Sequence, residues 1–304
     1  MSSSTTRRPP SRPPCASRQV SRVFSDLATC GYAAAGHPEA PFRVKESHAR
    51  LSAAGHNPEK PQAPATTADV ALLHSVDHFK RVAAGDFDDP DTPAYPGIDK
   101  LALISLSGAL AAAQSASAGV PAFSLMRPPG HHAGRDSVRG FCYFNNLALA
   151  CAKLQQDKKA ARIAILDIDV HHGDGTEELI TGRDGVLFFS LHQIPLYPGS
   201  GLKSHDNCVN IPIAPLTTEA SYLKEVDRAL DRLLAFKPDV LAVSAGFDTY
   251  KEDPIAQLKL EKKTYQRLGA MIAQTKLKRF AVLEGGYAQD LPLLIENFLD
   301  GFFV

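Results

Sequence analysis

Residues 165–176 read Ile-Leu-Asp-Ile-Asp-Val-His-His-Gly-Asp-Gly-Thr, so Asp167, Asp169, His171, His172 and Asp174 fall within eight positions. The apolar run before them, residues 163–166, has the make-up of a strand buried on both faces, and Gly173 and Gly175 break it. On a strand that continues to His171, residues 167, 169 and 171 share one side. An Asp and a His projecting together from a strand end offer ligands to a divalent cation such as zinc. A solvated loop accounts for a single such residue. Five of them where a buried strand stops call for chemistry.

Three other clusters end apolar runs in the same way: His131 and His132 in Arg-Pro-Pro-Gly-His-His, Asp248 in Ala-Gly-Phe-Asp, and Tyr287 in Glu-Gly-Gly-Tyr. Asp169, His171 and Asp248 supply carboxylates and an imidazole and leave a coordination position for water and substrate, which describes a catalytic site and not a closed structural one. His131 and His132 are the candidate bases, and Asp167 and Asp174 are placed to fix their tautomers. Tyr287, on a Gly-Gly turn, can donate to an oxyanion opposite the metal. Together these residues read as metal-assisted hydrolysis of an amide or related acyl bond.

Short apolar strands alternate with helices along the chain, which specifies an α/β fold with a mainly parallel sheet. Strands are expected over 121–125, from 163, over 186–191, over 240–244 and over 280–283. Helices are expected over 44–54, 72–84 and 101–118, along the Leu147/Cys151/Leu154 face, through Tyr222, Val226, Leu230 and Leu233 after a Thr217 or Thr218 cap, over 262–273, and through Leu293, Ile295 and Leu299. His74 and His78, in the second of these, read as ordinary core or surface histidines. The loop over 85–97 carries Asp86, Asp88, Asp89 and Asp91 without the alternation and closing Glu of an EF-hand, and reads as a solvated acidic loop. All the chemical clusters lie just past carboxyl ends of strands, the edge on which open parallel sheets build their sites.

The chain has 304 residues, 44% of them hydrophobic, and a formal charge of zero, so no global field attracts nucleic acid or an anionic membrane. No apolar stretch is long enough to span a bilayer. The five cysteines (Cys15, Cys30, Cys142, Cys151, Cys208) form no C-x-x-C pair, which argues against a disulfide scaffold and suits a reducing, cytoplasmic setting. Residues 1–22 carry Arg7, Arg8, Arg12, Arg18 and Arg22 with Pro9, Pro10, Pro13 and Pro14 and no acid, so they read as either an organellar transit segment or a disordered extension ahead of a single domain over 23–304.

Arg-Pro-Pro-Gly-His-His-Ala, Gly-Phe-Cys-Tyr-Phe-Asn-Asn, Leu-Asp-Ile-Asp-Val-His-His-Gly-Asp-Gly-Thr, Ala-Gly-Phe-Asp and Leu-Glu-Gly-Gly-Tyr, in this order, resemble the zinc-dependent histone deacetylase family, which includes bacterial deacetylase-like amidohydrolases, acetylpolyamine amidohydrolases and acetoin-utilisation proteins. The Arg-Pro-Pro-Gly-His-His form resembles the class II and bacterial branch. The resemblance implies an arginase-like fold with a mainly parallel sheet of about eight strands between helices. It implies Zn²⁺ on Asp169, His171 and Asp248, His132 with Asp174 as general base and then acid, His131 with Asp167 as electrostatic support, and Tyr287 polarising the acetyl carbonyl. Gly140, Phe141 and Tyr197 would line a narrow acyl-lysine channel, with Asp91 holding the substrate backbone. A structural K⁺ is implied near Asp167, Asp169, His171, Ser190 and Leu191. The donor set suits iron(II) as well as zinc.

Where eukaryotic acetylpolyamine enzymes of this family place a Glu gatekeeper, the chain has Ile255, and the longer insertion that bacterial ones carry before the His-His motif is not visible. Both departures favour an acyl-lysine of a protein or peptide, or another neutral-stemmed substrate, with a small acetylated amine such as an acetylpolyamine as the alternative. A silent binding module would have lost a ligand or the Tyr, and neither is lost. A binuclear manganese ureohydrolase would need further carboxylates that are not evident.

Overall fold

The computed structural model describes residues 21–304. The extension expected over 1–22 therefore lies, but for its last two residues, outside the described residues. Among these, seven strands form one sheet, β1 (Arg22–Phe24), β2 (Ala122–Ser124), β3 (Ile163–Asp167), β4 (Val186–Gln193), β5 (Cys208–Ile213), β6 (Val240–Ala245) and β7 (Lys278–Leu283). Their order is β1-β2-β7-β6-β3-β4-β5 and every neighbouring pair is parallel. The expected architecture is found, with seven strands in place of about eight.

The helices are α1 (Phe42–Ala53), α2 (Thr67–Val70), α3 (Val76–Ala84), α4 (Ile98–Ser117), α5 (Asn146–Gln156), α6 (Asp174–Ile180), α7 (Glu219–Ala235), α8 (Thr264–Gln274) and α9 (Leu291–Phe302). They cover both faces of the sheet. Ile163 and Ile165 of β3 pack into one core with α4 and α5, and Ala164 and Leu166 into the other with α1, α7, α8 and α9. A strand buried on both sides has no polar face to offer, which is why β3 reads as an unbroken apolar run.

The helix expected over 72–84 begins only at Val76, because Ser75 accepts the His78 N–H at 3.0 Å and starts α3 there, leaving His74 in the turn before it. Thr218, rather than Thr217, caps α7. The strand carrying the chemistry stops at Asp167 and does not run to His171. Asp167 Oδ1 accepts the Asp169 N–H at 3.0 Å and Asp169 Oδ1 accepts that of His171 at 2.9 Å, so each acid turns the backbone beside it away from the ladder. The strand order explains the convergence that follows. β7, β6 and β3 are neighbours, so Tyr287, Asp248 and the Asp169–His171 segment leave adjacent strand ends.

Candidate active site

Asp169, His171 and Asp248 are buried and present donor atoms that lie within 4.8 Å of one another. Backbone N–H groups hold both acids: Gly285 donates to Asp169 Oδ2 at 2.7 Å and Val170 to Asp248 Oδ1 at 2.9 Å. His171 Nδ1 lies 3.0 Å from Asp169 Oδ1 and 3.1 Å from Asp248 Oδ2. Two anionic oxygens and one imidazole nitrogen converging in a dry place fit a divalent cation. Burial pulls the His171 imidazole down, but its hydrogen bonds to Asp169 and Asp248 outweigh this and lift it to about 10. The set thus draws positive charge strongly, and a proton answers that demand when no cation does.

His131 and His132 stand beside this set, their rings 4.0 Å apart. His132 Nδ1 donates to Asp174 Oδ1 at 2.7 Å, and Arg139 holds the other oxygen of Asp174 at 3.1 Å. His131 Nδ1 donates to Asp167 Oδ2 at 3.0 Å. A carboxylate only accepts, so in both rings Nδ1 carries a proton and Nε2 faces the site. The two rings part in charge. Burial and then the neighbouring His131 push His132 down to about 3, so the ring rests neutral with its Nε2 free of a proton. Burial also opposes charge on His131, but Asp169 and Asp167 more than offset it and hold the ring well above its ordinary value.

Tyr287 completes the group. Arg43 lies over its ring at 4.8 Å and Phe141 meets it edge-on at 5.7 Å. Burial pushes its phenol well above the ordinary value, so it remains a hydrogen-bond donor. Arg43 also donates through Nε to Gly286 O at 2.7 Å and pairs with Glu39, which Arg127 grips with bonds of 2.8 and 2.6 Å. These charges are buried and paired, as a buried charge must be. Glu284, just before the Gly-Gly turn, accepts the Gly130 and His131 N–H groups at 2.7 and 3.1 Å and so ties the His-His loop to the end of β7.

A cavity of about 350 Å³ leads down to this floor. His132, His171 and Tyr287 line it together with Gly140, Phe141 and Tyr197, expected for the channel, Asp91, expected to hold the substrate backbone, and Ile255 at the gatekeeper position. His37, Pro38, Pro90 and Leu196 join them unforeseen. Tyr197 meets His132 edge-on at 5.1 Å. Gly140 has φ +55°, and a Cβ there would stand 2.4 Å from His132 Cδ2, so the wall approaches the base closely because the residue has no side chain. The set expected around a potassium ion is joined only in part. Asp167 pairs with Ser190 in the β3–β4 register, and the Ser190 hydroxyl bonds His192 Nδ1 at 2.9 Å. Nothing in that arrangement speaks for K⁺.

His74 and His78, read as ordinary from the sequence, are buried supports. Their rings stack at 4.8 Å, His74 bridges Gly134 O and the Asn145 N–H, and His78 donates to Tyr143 O. Sequence reasoning also passed over Glu39, Arg43, Asp253 and Glu284. Arg127 and Glu284 sat inside the quoted motifs, where neighbouring residues of plainer chemistry drew the attention.

A model of the histone deacetylase domain matches residues 37–298. Acetylpolyamine amidohydrolase 2 of Pseudomonas aeruginosa is 39% identical over 220 residues, which are 68% of this chain and 62% of that protein. The acetylpolyamine amidohydrolase of Burkholderia pseudomallei is 38% identical over 235 residues, 72% of this chain and 67% of that protein. The crystal structure of the acetylpolyamine aminohydrolase from Burkholderia pseudomallei superposes with a TM-score of 0.87 at 29% identity, covering 93% of this chain and 98% of that one. With the domain model spanning most of the chain and the same sheet beneath the same motifs, the chain belongs to the histone deacetylase family.

Proposed function

We propose that the protein hydrolyses the N-acetyl amide of a small acetylated amine, releasing acetate and the free amine. The observation that carries the reaction is the grouping of Asp169, His171 and Asp248 beside a neutral His132 and a protonated Tyr287 on one cavity floor. A divalent cation, zinc or iron(II), would be held by Asp169, His171 and Asp248 and would supply Lewis acidity to the hydrolysis of the amide. His132 Nε2 takes the proton of the attacking water and returns it to the leaving nitrogen, while Asp174 keeps the ring in the required tautomer. His131 contributes positive charge beside the reacting carbon. Tyr287 donates to the carbonyl oxygen as negative charge gathers there.

The names of relatives support placing a small acetylated amine first among the substrates. Two relatives, at 39% and 38% identity, are named for acetylpolyamines. Ile255 offers a polyamine no carboxylate, but the exposed Asp91 lines the same cavity and carries one. Ile255 favours a second substrate, the acyl-lysine of a peptide or protein, whose stem is neutral. Turnover of N-acetylputrescine beside an acetyl-lysine peptide, each with and without a chelator, separates the two. Chelator-sensitive turnover is expected on both, faster on the amine. Turnover of the peptide alone would transfer the assignment to acyl-lysine, and silence on both would end the hydrolase reading.

A further inference from the structure

The residue after the metal-set histidine has no part in the chemistry above, yet it is almost wholly buried and fully engaged. His172 Nδ1 lies 2.8 Å from Ser200 Oγ, and its Nε2 lies 3.3 Å from Glu177 Oε2. A carboxylate can only accept, so Nε2 bears the proton and Nδ1 is the acceptor of the Ser200 hydroxyl. The same logic holds next door. His192 stands 4.5 Å from His172, donates through Nε2 to Gly201 O at 3.0 Å, and accepts the Ser190 hydroxyl at Nδ1. Glu177, in the first turn of α6, also meets His205 Nε2 at 3.1 Å and accepts from Asn210 Nδ2 at 2.6 Å. Asn210 in turn donates through its side chain to Lys203 O at 3.1 Å, gives its N–H to Ser204 Oγ at 3.0 Å, and accepts the Ser204 hydroxyl at its carbonyl at 3.4 Å.

Ser200, Gly201, Lys203, Ser204 and His205 belong to one loop, the one between β4 and β5 that carries Tyr197. Every grip described falls on its returning half. Tyr197 itself is 40% exposed and meets the site through ring edges, at 5.1 Å from His132 and 6.3 Å from His171. Its place in the cavity wall is therefore set by how the flanking chain is held. There is no slack in the hold: a Cβ on Gly201 would come within 2.5 Å of His192 Nε2 and 2.7 Å of His172.

We propose that His172 and Glu177 form a latch that grips the β4–β5 loop at Ser200 and His205 and thereby sets the position of Tyr197, making them specificity-determining residues for the acyl stem. His172 is covalently next to His171, so the latch references the channel wall to the metal set itself. Its effect on substrate rests on the hydrolase reading; its effect on the position of Tyr197 does not.

The chain contains no tryptophan, so Tyr197→Trp introduces a lone fluorophore at the wall. In that background, Ser200→Ala and Glu177→Gln are compared by emission maximum and acrylamide quenching of the full chain. A red shift and stronger quenching in both supports the latch. Unchanged emission and quenching in folded Ser200→Ala protein overturns it, and this variant decides the matter if Glu177→Gln does not fold. With Tyr197 in place, Ser200→Ala is expected to raise KM for N-acetylputrescine about threefold to tenfold at unchanged kcat, the loss of one hydrogen bond's worth of positioning. A lowered kcat at unchanged KM would overturn the assignment to specificity. If no substrate is turned over by the parent protein, the hydrolase reading has failed and the fluorescence arm still judges the latch.

Discussion

Asp253 Oδ2 accepts the backbone N–H of Tyr287 at 2.8 Å, while its other oxygen accepts that of Ile255 at 3.1 Å. One buried carboxylate thus fixes both the phenol at the cavity floor and an apolar residue of its wall. In Asp253→Asn the amide oxygen can serve one of these N–H groups, and the amide NH₂ then opposes the other. The expected result is a fall in kcat of about tenfold to a hundredfold, the scale of a misplaced catalytic group. Metal content by elemental analysis should be unchanged. Full turnover in the Asn variant would show that Tyr287 is placed without Asp253.

Tyr287→Phe removes the phenol and leaves the ring between Arg43 and Phe141. An oxyanion donor contributes about 10²–10³ in kcat, and a loss of that size is expected here. Since Tyr287 is no part of the metal set, stoichiometric metal should remain. Unchanged turnover would sink the role given to the phenol, and loss of metal would show that the variant disturbs the floor as a whole.

Cation and proton compete for the place between Asp169, His171 and Asp248. Burial lowers His171, the bonds to Asp169 and Asp248 raise it further than burial lowers it, and the ring settles at about 10 without a cation. Asp248, raised by burial and by Asp169, stands at about 7. Both groups must be unprotonated to ligate, so apparent metal affinity should climb as pH rises, by about tenfold per pH unit while one proton is displaced. Below the range of Asp248 the dependence steepens as a second proton enters. Competition against a chromophoric chelator between about pH 6 and pH 8 reads this directly. A flat response would mean that these three side chains are not the ligands.

How much of this was legible in the sequence follows from how local each feature is. The chemistry of 165–176 lies in consecutive residues, and β3, β4, β6 and β7 are apolar runs that only burial explains, so floor and central sheet could be read together. β1 has three residues, and β5 contains Pro212, tolerated because β5 is an edge strand; neither gives a periodic signal. The end of β3 at Asp167 was hidden because period two aligns Asp169 and His171 as well, and only the acids' bonds to their own backbone stop the strand. The Glu39–Arg43–Arg127 network joins residues far apart in the chain, and that a charge is buried is a property of the fold and of no single stretch.

His74 was the least conspicuous of these supports, and its environment makes a prediction that does not depend on the reaction. Its Nδ1 donates to Gly134 O at 2.8 Å, and its Nε2 accepts the Asn145 N–H at 2.9 Å, so it braces the His131–His132 loop against the start of α5. Both bonds require the neutral ring, since a proton on Nε2 would oppose the Asn145 N–H. Burial, and then the neighbouring His78, lower its pKa from 6.5 to about 3. A lowered histidine binds its proton more readily unfolded than folded. Its contribution is therefore complete above 6.5 and drains away as pH falls from there toward about 3, at a limit of ~1.4 kcal/mol per pH unit. Denaturant unfolding at about pH 7 and pH 5 should show the parent protein losing stability on acidification. His74→Gln should begin roughly 1–3 kcal/mol less stable, through its imperfect replacement of two buried hydrogen bonds, and should lose less on going to the lower pH. Equal acid losses in parent and variant would show that His74 takes up no proton on unfolding and is not held neutral by the fold.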